Sequence, residues 1–504
     1  MINPIMKNIV LFFFRKPLFL CLLVLSTQVA LYAQDEEDPY AKTRSKAKSS
    51  IYSIRIDPES TNVLASNMGE LSGNLEVTNR NYMDLWASAE EPGPGTVKWI
   101  LSAPSAGEYD VDVVAFGDGS ELVFTCNGDN KKIVISGENW DKINLGKIKL
   151  NAGNNALLVS VTASVDFRLG SLELTRPAIK AKIEKEALAQ RQDADWFKNA
   201  GYGLMFQCTN RATPIQGPIK KWQDKVNDFD LDGFVSMVEE SGAAYVLWSV
   251  TWGEQYISAP IQSLDEIIAG RTTQRDLLGE MADRLHEKGI RLIFYYHYGY
   301  KCYHARDIEW LEAVGGLDAD KTELYDNLMK IISEIGLRYK DKLDGWWFDG
   351  GERYYNTHFD GSSAEAGILS APFKEITQAA KAGNSSRIIA YNSWIKPMLT
   401  PYQDYFAGEG FQTYSELEDG KFTTGKHKGL MAHSCFILEK SWGHIEPDSP
   451  IKSPKFSVEK LTEMIQFAQT YKYPLSINLE MYEDGSVSPE SIELLKQIKT
   501  VIRD

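Results

Sequence analysis

From Trp196 to the C-terminus, short strand-like apolar runs alternate with amphipathic stretches of helical period. The strand-like runs are Gly203–Gln207, Ala244–Thr251, Arg291–Tyr298, Gly345–Asp349, Arg387–Tyr391, Asp404–Glu409, Gly429–Cys435 and Pro474–Asn478. Leu231–Ser241, Arg275–Lys288, Thr322–Arg338, Ala371–Ala382, Val458–Thr470 and Pro489–Ile502 carry the helical pattern between or after them. Eight β/α units over roughly 300 residues predict a (β/α)8 TIM-type barrel. The rival fold, a doubly wound open sheet, usually has a glycine-rich phosphate loop after its first strand. Here Cys208-Thr209-Asn210-Arg211-Ala212 stand there instead, so no nucleotide fingerprint is present.

The chain is multidomain, because 504 residues exceed one ordinary domain. Residues 51–177 read differently from the barrel, as short strands broken by Gly, Asn and Asp. Tyr109, Val111 and Val113 alternate with polar neighbours, as on a half-buried strand. This spacing predicts a β-sandwich. The runs "G-E-Y-D-V-D-V", "K-L-N-A-G-N-N-A-L-L-V" and "F-R-L-G-S-L-E-L" resemble carbohydrate-binding modules of the jelly-roll type. Trp86, Trp99 and Trp140 are either sugar platforms or core residues. Residues 178–195 are rich in helix formers with Glu/Lys spacing and read as a helical linker to the barrel of residues 196–504.

Residues 1–33 have the pattern of a signal peptide: Lys7, Arg15 and Lys16 ahead of an apolar run, then Leu31-Tyr32-Ala33 as a cleavage site. Residues 34–50 are polar and aperiodic and read as a flexible leader. Signal removal shifts the formal charge from −15 to −18, since only those three charged residues leave. So acidic a chain repels nucleic acid, which excludes that class of partner. No other stretch is long and apolar enough to span a bilayer, so no stable membrane span is expected after signal removal. The expected location is secreted or periplasmic, or the bacterial cell surface. Cys126, Cys208, Cys302 and Cys435 are scattered without a C-x-x-C pair, against a disulfide scaffold or zinc site. The absence of H-E-x-x-H or of a paired Asp cluster argues against a metal, and no cofactor is expected. Asp228, Asp230 and Asp232 read as capping and solvated residues rather than a calcium loop. The sequence carries no signal for oligomeric state.

Barrel active sites lie at the C-terminal strand ends. There the sequence places Gln207, Trp252 and Glu254, His297, Asp349, Asn392 and Trp394, Glu409, His433 and Trp442, and Asn478. Carboxylates, His and Trp crowd this rim. A glycosidase needs two carboxyls for the chemistry, aromatics for the sugar face and polar forks for hydroxyls. Asp349 is the sharpest position, with apolar bulk before it in Trp346-Trp347-Phe348 and two glycines after it. Its bland alternative is a helix N-cap. Glu409, again flanked by glycines, is the best partner, with Glu254, Glu352, Glu416 and Glu480 as rivals. Trp252, Glu254, His297, Asn392, Trp394, His433 and Trp442 are the expected substrate-binding residues. Arg353 and Lys396 are the rim cations that would favour an anionic sugar.

These runs resemble the α-L-fucosidases of glycoside hydrolase family 29 across Trp196–Ile502. "W-F-K-N-A-G-Y-G-L-M-F" is similar to the family's opening strand, and "R-D-L-L-G-E-M-A-D-R-L-H-E-K-G-I-R-L-I-F-Y-Y" to its third unit. "W-W-F-D-G-G" is similar to the nucleophile strand. "H-S-C-F-I-L-E-K" with "S-W-G-H", and "P-L-S-I-N-L-E-M-Y-E-D-G-S-V-S-P-E", resemble its last two strands. The resemblance implies that Asp349 is the nucleophile and matches Glu409 to the acid/base. It implies a retaining exo-glycosidase that cleaves terminal sugars from glycans through a covalent glycosyl-enzyme. The carboxyls are then expected roughly 5–5.5 Å apart, with Glu409 raised in pKa by an apolar setting. The sequence departs where the family holds fucose hydroxyls. Gln207-Cys208-Thr209 replace His-Trp-Gly, Thr251-Trp252-Gly253-Glu254 replace a His-His stretch, and His433 stands where a Glu is common. The alternatives are therefore a barrel glycosidase for another sugar, such as a galactoside, or an inactive barrel that binds glycan.

Overall fold

The computed structural model describes residues 53–80, 84–137, 139–298, 307–316, 322–350, 371–394 and 397–503. The signal peptide and leader, together with Cys302, Glu352, Arg353 and Lys396, lie outside the described residues.

The N-terminal part is β-rich. One sheet pairs Ser53–Arg55, Gly93–Ala103, Gly153–Ala163, Glu121–Cys126 and Asp129–Val134 in that order, with Glu70–Gly73 also on Gly93–Ala103. The second pairs Asp141–Leu150, Gly107–Phe116, Phe167–Thr175, Asp84–Ala89 and Glu76–Arg80, with Asn62–Ala65 also on Phe167–Thr175. Alternation decides which side chains turn inward. Tyr109, Val111 and Val113 of one sheet meet Val97, Trp99 and Leu101 of the other in a single apolar core. Trp99 is buried there, and its indole N–H donates to the Ala65 carbonyl at 3.0 Å. Trp86 and Trp140 are also buried, in a small cluster with Val114, over which Arg168 lies 5.5 Å from the Trp86 ring. None of the three rings is an exposed platform.

The helix Pro177–Gln190 follows, and then a seven-stranded parallel sheet. Its order is Ile388–Tyr391, Gly345–Asp349, Arg291–His297, Tyr245–Thr251, Tyr202–Phe206, Leu475–Leu479, Ser434–Ile437. The strands are apolar on both faces because both are covered. Leu204, Val246, Trp248, Phe294, Trp346 and Ile389 face outward into a core shared with the helices. The alternate residues Met205, Leu247, Tyr295, Trp347, Ala390 and Cys435 share a separate inner cluster. The helices begin on local caps. The Asp230 carboxylate accepts from Gly233 N–H at 3.0 Å, and Asp276 from Gly279 N–H at 2.9 Å, each satisfying an otherwise orphaned donor.

Residues 404–409, expected as a strand, form no regular ladder. They run between the two edge strands of the sheet on isolated parallel bridges, Tyr405 to Met431 and Glu409 to Cys435. Backbone bonds reach both sides: Asp404 N–H to Ile389 O at 2.7 Å, and Phe406 N–H to Met431 O at 2.8 Å. Side chains take over part of the ladder. Asp404 accepts from Ile389 N–H at 2.8 Å and Gln403 from Tyr391 N–H at 3.1 Å. Gly408 then turns with φ of 67°, so close to the His433 carbonyl that a Cβ would lie 1.9 Å from it. A regular strand cannot accommodate that crossing. The neighbouring run expected at Gly429–Cys435 is a strand only over Ser434–Ile437.

Candidate active site

A two-residue step along a strand keeps the same face. The inner apolar cluster therefore leads up to a polar layer: Met205 to Gln207, Tyr295 to His297, Trp347 to Asp349, Ala390 to Asn392 and Ala407 to Glu409.

Asp349 is fixed by three donors. Oδ1 accepts from Asn392 Nδ2 at 2.8 Å and from Gly350 N–H at 2.9 Å. Oδ2 accepts a short bond from the Tyr295 hydroxyl. The Tyr295 ring is itself stacked on Trp347, with centroids 5.2 Å apart. Tyr295 escaped the sequence reading because it lies one layer below the rim. Its place two residues before His297, in register with Trp347, was the available signal. Gly350 has φ of 74°, and a Cβ there would come within 2.6 Å of the Tyr298 ring and 3.4 Å of His297 Nε2. This glycine is required by packing and backbone conformation, not by open space for a ligand.

Glu409 is half-buried, and its Oε2 accepts from the same Asn392 nitrogen at 2.6 Å. Both carboxylate oxygens thus bond one atom. They lie within 5.4 Å of each other, the sum of the two bonds. The Cys435 thiol is pushed up by burial and then by the Glu409 and Asp349 charges.

The remaining expected residues divide. His297 is buried beside Asp349, and its ring lies parallel to Tyr298 at 5.6 Å. Trp394 is half-exposed, has φ of 51°, and donates its backbone N–H to Asn392 Oδ1 at 2.9 Å. Trp252 belongs to the inner cluster, with Trp442 packed against it. Trp252 and Gln207 both flank Gly443, where a Cβ would meet them at 3.2 and 3.3 Å. The Trp442 carbonyl accepts from Asn478 Nδ2 at 2.9 Å. Three acceptors in this half of the site, Gln207 Oε1, Glu254 Oε2 and Asn478 Oδ1, are buried, and no donor among the described residues reaches them.

His433 bonds neither carboxylate through its ring nitrogens. It is fully buried and packs on Phe197 and Tyr405. Its ring nitrogens bond the Ala407 carbonyl at 2.7 Å and Ser476 Oγ at 2.9 Å. Burial pulls it down to about 4, so the ring is neutral. Of the rival acids, Glu416 is exposed. Glu480 is held by the Lys440 and Ser441 N–H groups at 2.9 and 2.7 Å and by His444 Nδ1 at 3.0 Å. Beneath it the sequence reading missed Glu439, bonded to Ser491 Oγ at 2.5 Å and to Glu480 N–H at 3.0 Å. Burial pushes Glu439 up to about 7. No group of His, Cys, Asp and Glu among the described residues is arranged to hold a metal ion.

A family profile described as alpha-L-fucosidase matches residues 178–503, more than half of the chain. The chain belongs to the α-L-fucosidase family. It is therefore a glycoside hydrolase by family. No curated protein matches it significantly. Among solved structures it is similar to a family 29 α-L-fucosidase from Bacteroides thetaiotaomicron, at 17% identity over 62% of this chain and 74% of that one, TM-score 0.43. It is also similar to an α-L-fucosidase from Lactobacillus casei in complex with α-L-fucose, at 15% identity over 61% and 97%, TM-score 0.43. A third is an endo-fucoidan hydrolase of family 107, at 14% identity over 63% and 54%, TM-score 0.45. No helix among the described residues is long and apolar enough to cross a membrane.

Proposed function

We propose that this member of the α-L-fucosidase family is a retaining exo-glycosidase with Asp349 as nucleophile and Glu409 as acid/base. The observation that carries the reading is the shared hydrogen-bond donor, which keeps the two carboxylate oxygens within 5.4 Å. Retaining sites hold their carboxyls roughly 5–5.5 Å apart, whereas inverting sites need roughly 6.5–9.5 Å to admit water. In the first step an Asp349 oxygen bonds the anomeric carbon as the glycosidic C–O bond breaks. The bonding pair stays with the leaving oxygen, which takes the Glu409 proton. In the second step water gives a proton to Glu409 and attacks the same carbon, and Asp349 leaves as a carboxylate.

Trp252, Trp394 and Trp442 offer ring faces to a sugar, and His297 and Glu254 offer polar contacts. The unpartnered acceptors Gln207 Oε1, Glu254 Oε2 and Asn478 Oδ1 suit a neutral sugar that donates hydroxyl hydrogens, because a buried acceptor left unbonded is costly. We assign His433 to packing. A second sugar class remains in play because Gln207 and the Trp252–Glu254 stretch differ from the residues with which the family holds fucose. The test is turnover of 4-nitrophenyl α-L-fucoside and 4-nitrophenyl β-D-galactoside by wild type and Asp349→Ala. Wild type is expected to cleave one of them with retention, and Asp349→Ala to fall by a factor on the order of 10³ or more. Equal turnover by the two proteins removes Asp349 from the mechanism. Glycan binding without turnover by wild type selects the inactive binding protein.

We further read residues 404–409 as the irregular sixth member of a (β/α)8 barrel spanning 196–504. Residues 51–177 are read as a jelly-roll sandwich and 178–195 as the connecting helix. Residues 1–33 are a signal that sends the enzyme to the periplasm or outside the cell. N-terminal sequencing of the protein from cell fractions tests this last point: a cytoplasmic protein that begins at Met1 overturns it.

A further inference from the structure

Asn392 lies between the two carboxylates, and its orientation is imposed. Its two Nδ2 hydrogens point at different acids, Asp349 Oδ1 at 2.8 Å and Glu409 Oε2 at 2.6 Å. Its Oδ1 accepts the Trp394 backbone N–H at 2.9 Å. A flipped amide would turn a carbonyl oxygen onto two carboxylates and an NH2 group onto an N–H donor, so only one orientation is satisfiable. The Trp394 N–H is aimed by a left-handed backbone, φ 51°, which a tryptophan adopts only when its surroundings compel it. Asn392 is 1% exposed and sits at the end of the strand Ile388–Tyr391, so a rigid element carries the donor.

Through the retaining cycle the pair keeps a single negative charge, which moves. Before attack the charge is on Asp349 and the proton is on Glu409. After attack Asp349 is a neutral ester and Glu409 is the anion. One NH2 group bonded to both oxygens always has an anion to donate to, and a hydrogen bond to a charged acceptor is about twice as strong as a neutral one. We propose that Asn392 is a positioning residue that fixes the carboxyl separation and stabilises the charge on whichever acid holds it. This rests on the reading of Asp349 and Glu409 as the catalytic pair. Among the described residues, the other titratable groups beside the pair are Tyr295 and His297 on the strand next to Asp349 and Cys435 on the strand bridged to Glu409. The variants below leave all three in place.

The test compares pH profiles of kcat/KM on 4-nitrophenyl α-L-fucoside and 4-nitrophenyl β-D-galactoside for wild type, Asn392→Ala, Asn392→Asp and Asp349→Ala, with crystal structures of the two Asn392 variants. Loss of a donor destabilises each carboxylate anion. Both limbs of the Asn392→Ala profile are therefore expected to move to higher pH. kcat is expected to fall on the order of tenfold to a hundredfold with a smaller change in KM, and the carboxyls to separate in the crystal. Asn392→Asp preserves shape and guards against misfolding of the alanine variant. It is expected to be slow at neutral pH, where it adds a second negative charge, and to recover toward acid pH as its own carboxyl becomes a donor. Unmoved limbs with an unchanged carboxyl gap in whichever variant folds overturn the inference, provided that Asp349→Ala is inactive. If Asp349→Ala is as active as wild type, the catalytic pair itself is wrong.

Discussion

The Arg387 side chain makes five hydrogen bonds at the base of the parallel-sheet part, all to backbone carbonyls. It is fully buried, and no carboxylate among the described residues bonds to it. Each of its five N–H groups meets a backbone carbonyl. Nε donates to Leu343 O at 3.0 Å. Nη1 donates to Ala380 O at 3.0 Å and Ala382 O at 2.5 Å, and Nη2 to Gly336 O and Lys340 O at 2.6 Å each. These carbonyls belong to the ends of the helices Thr322–Tyr339 and Phe373–Ala380 and the turns after them. Helix C-termini carry partial negative charge and orphaned acceptors. Two converging helix ends therefore supply the counter-charge that an acid would otherwise provide. Burial pulls the guanidinium down to about 10, still charged at neutral pH. Lysine has three donors, so Arg387→Lys leaves at least two carbonyls unbonded, and the loss of stability is expected to be about 2–5 kcal/mol. Urea unfolding should show the midpoint falling while kcat per folded molecule stays at the wild-type value. An unchanged midpoint would mean that these bonds are replaceable by water.

At the scale of elements, Glu439 joins the strand Ser434–Ile437 to the strand Leu475–Leu479 and the helix Pro489–Ile502. It does so through its bonds to Glu480 N–H and Ser491 Oγ. Glu480 in turn holds the N–H groups of Lys440 and Ser441 and the ring of His444. This chain of contacts lies under the turn that presents Trp442. Glu439 is raised from 4.5 to about 7 by burial. The folded protein thus binds a proton that the unfolded chain has released between those values. Its stability contribution is intact below about pH 4.5, declines as pH rises toward 7, and is lost above it. Glu439→Gln retains an acceptor for Glu480 N–H and removes the ionisation. The variant should match wild type near pH 4.5 and exceed it at pH 8 by about 3 kcal/mol at most. Thermal unfolding across that range measures this, and parallel pH curves for the two proteins would count against it. Nothing in the local sequence announced Glu439, because His-Ser-Cys-Phe-Ile-Leu-Glu-Lys reads equally well with the acid in solvent. The seven strands of the parallel sheet were legible from apolar runs, since burial of both faces imposes them. Residues 404–409 read as a strand by composition but became irregular through Gln403, Asp404 and Gly408, whose effect depends on partners distant in sequence. In the N-terminal part, Asn62–Ala65, Glu70–Gly73, Glu76–Arg80 and Asp84–Ala89 went unread, being short and weakly alternating. Asp349, Glu409 and Asn392 were legible as strand-end residues of one face. The bridge between them was not, because it depends on side-chain orientation.

At the scale of the whole molecule, the helix Pro177–Gln190 is better described as a strut than as a linker. Its first turn is tied to the β-rich part by Lys180 and Asp112, 2.6 Å apart. Its far end is tied to the parallel-sheet part. Glu186 pairs with Lys374 at 2.8 Å and accepts from the Tyr402 hydroxyl at 3.2 Å. The Gln190 carbonyl accepts from Lys381 Nζ at 2.6 Å. Beyond the helix, Arg191 donates to the Gly429 and Pro401 carbonyls at 3.1 and 3.2 Å, and Gln192 N–H to Asp404 at 2.6 Å. A direct contact runs beside it. Lys142 pairs with Glu173 at 2.9 Å and also reaches the Met398 carbonyl at 3.4 Å, four residues beyond Trp394. Solvent-exposed ion pairs contribute little singly, but these are spread along the helix and alternate with backbone bonds, so detaching either end breaks several at once. Composition alone made the segment read as a helical linker, since its charges have ordinary helix-surface spacing and their partners lie far away in sequence. Trypsin distinguishes the two descriptions. Cleavage needs several residues of locally unfolded backbone. Lys180, Lys182, Lys185 and Arg191 should therefore resist brief digestion of the native protein, although the segment supplies four sites within twelve residues. Asp404→Ala, which releases Gln192 N–H and Ile389 N–H together, should open the Arg191 site first. Rapid cutting across Lys180–Arg191 in wild type, yielding separate N- and C-terminal fragments, would show that the helix connects the two parts without bracing them.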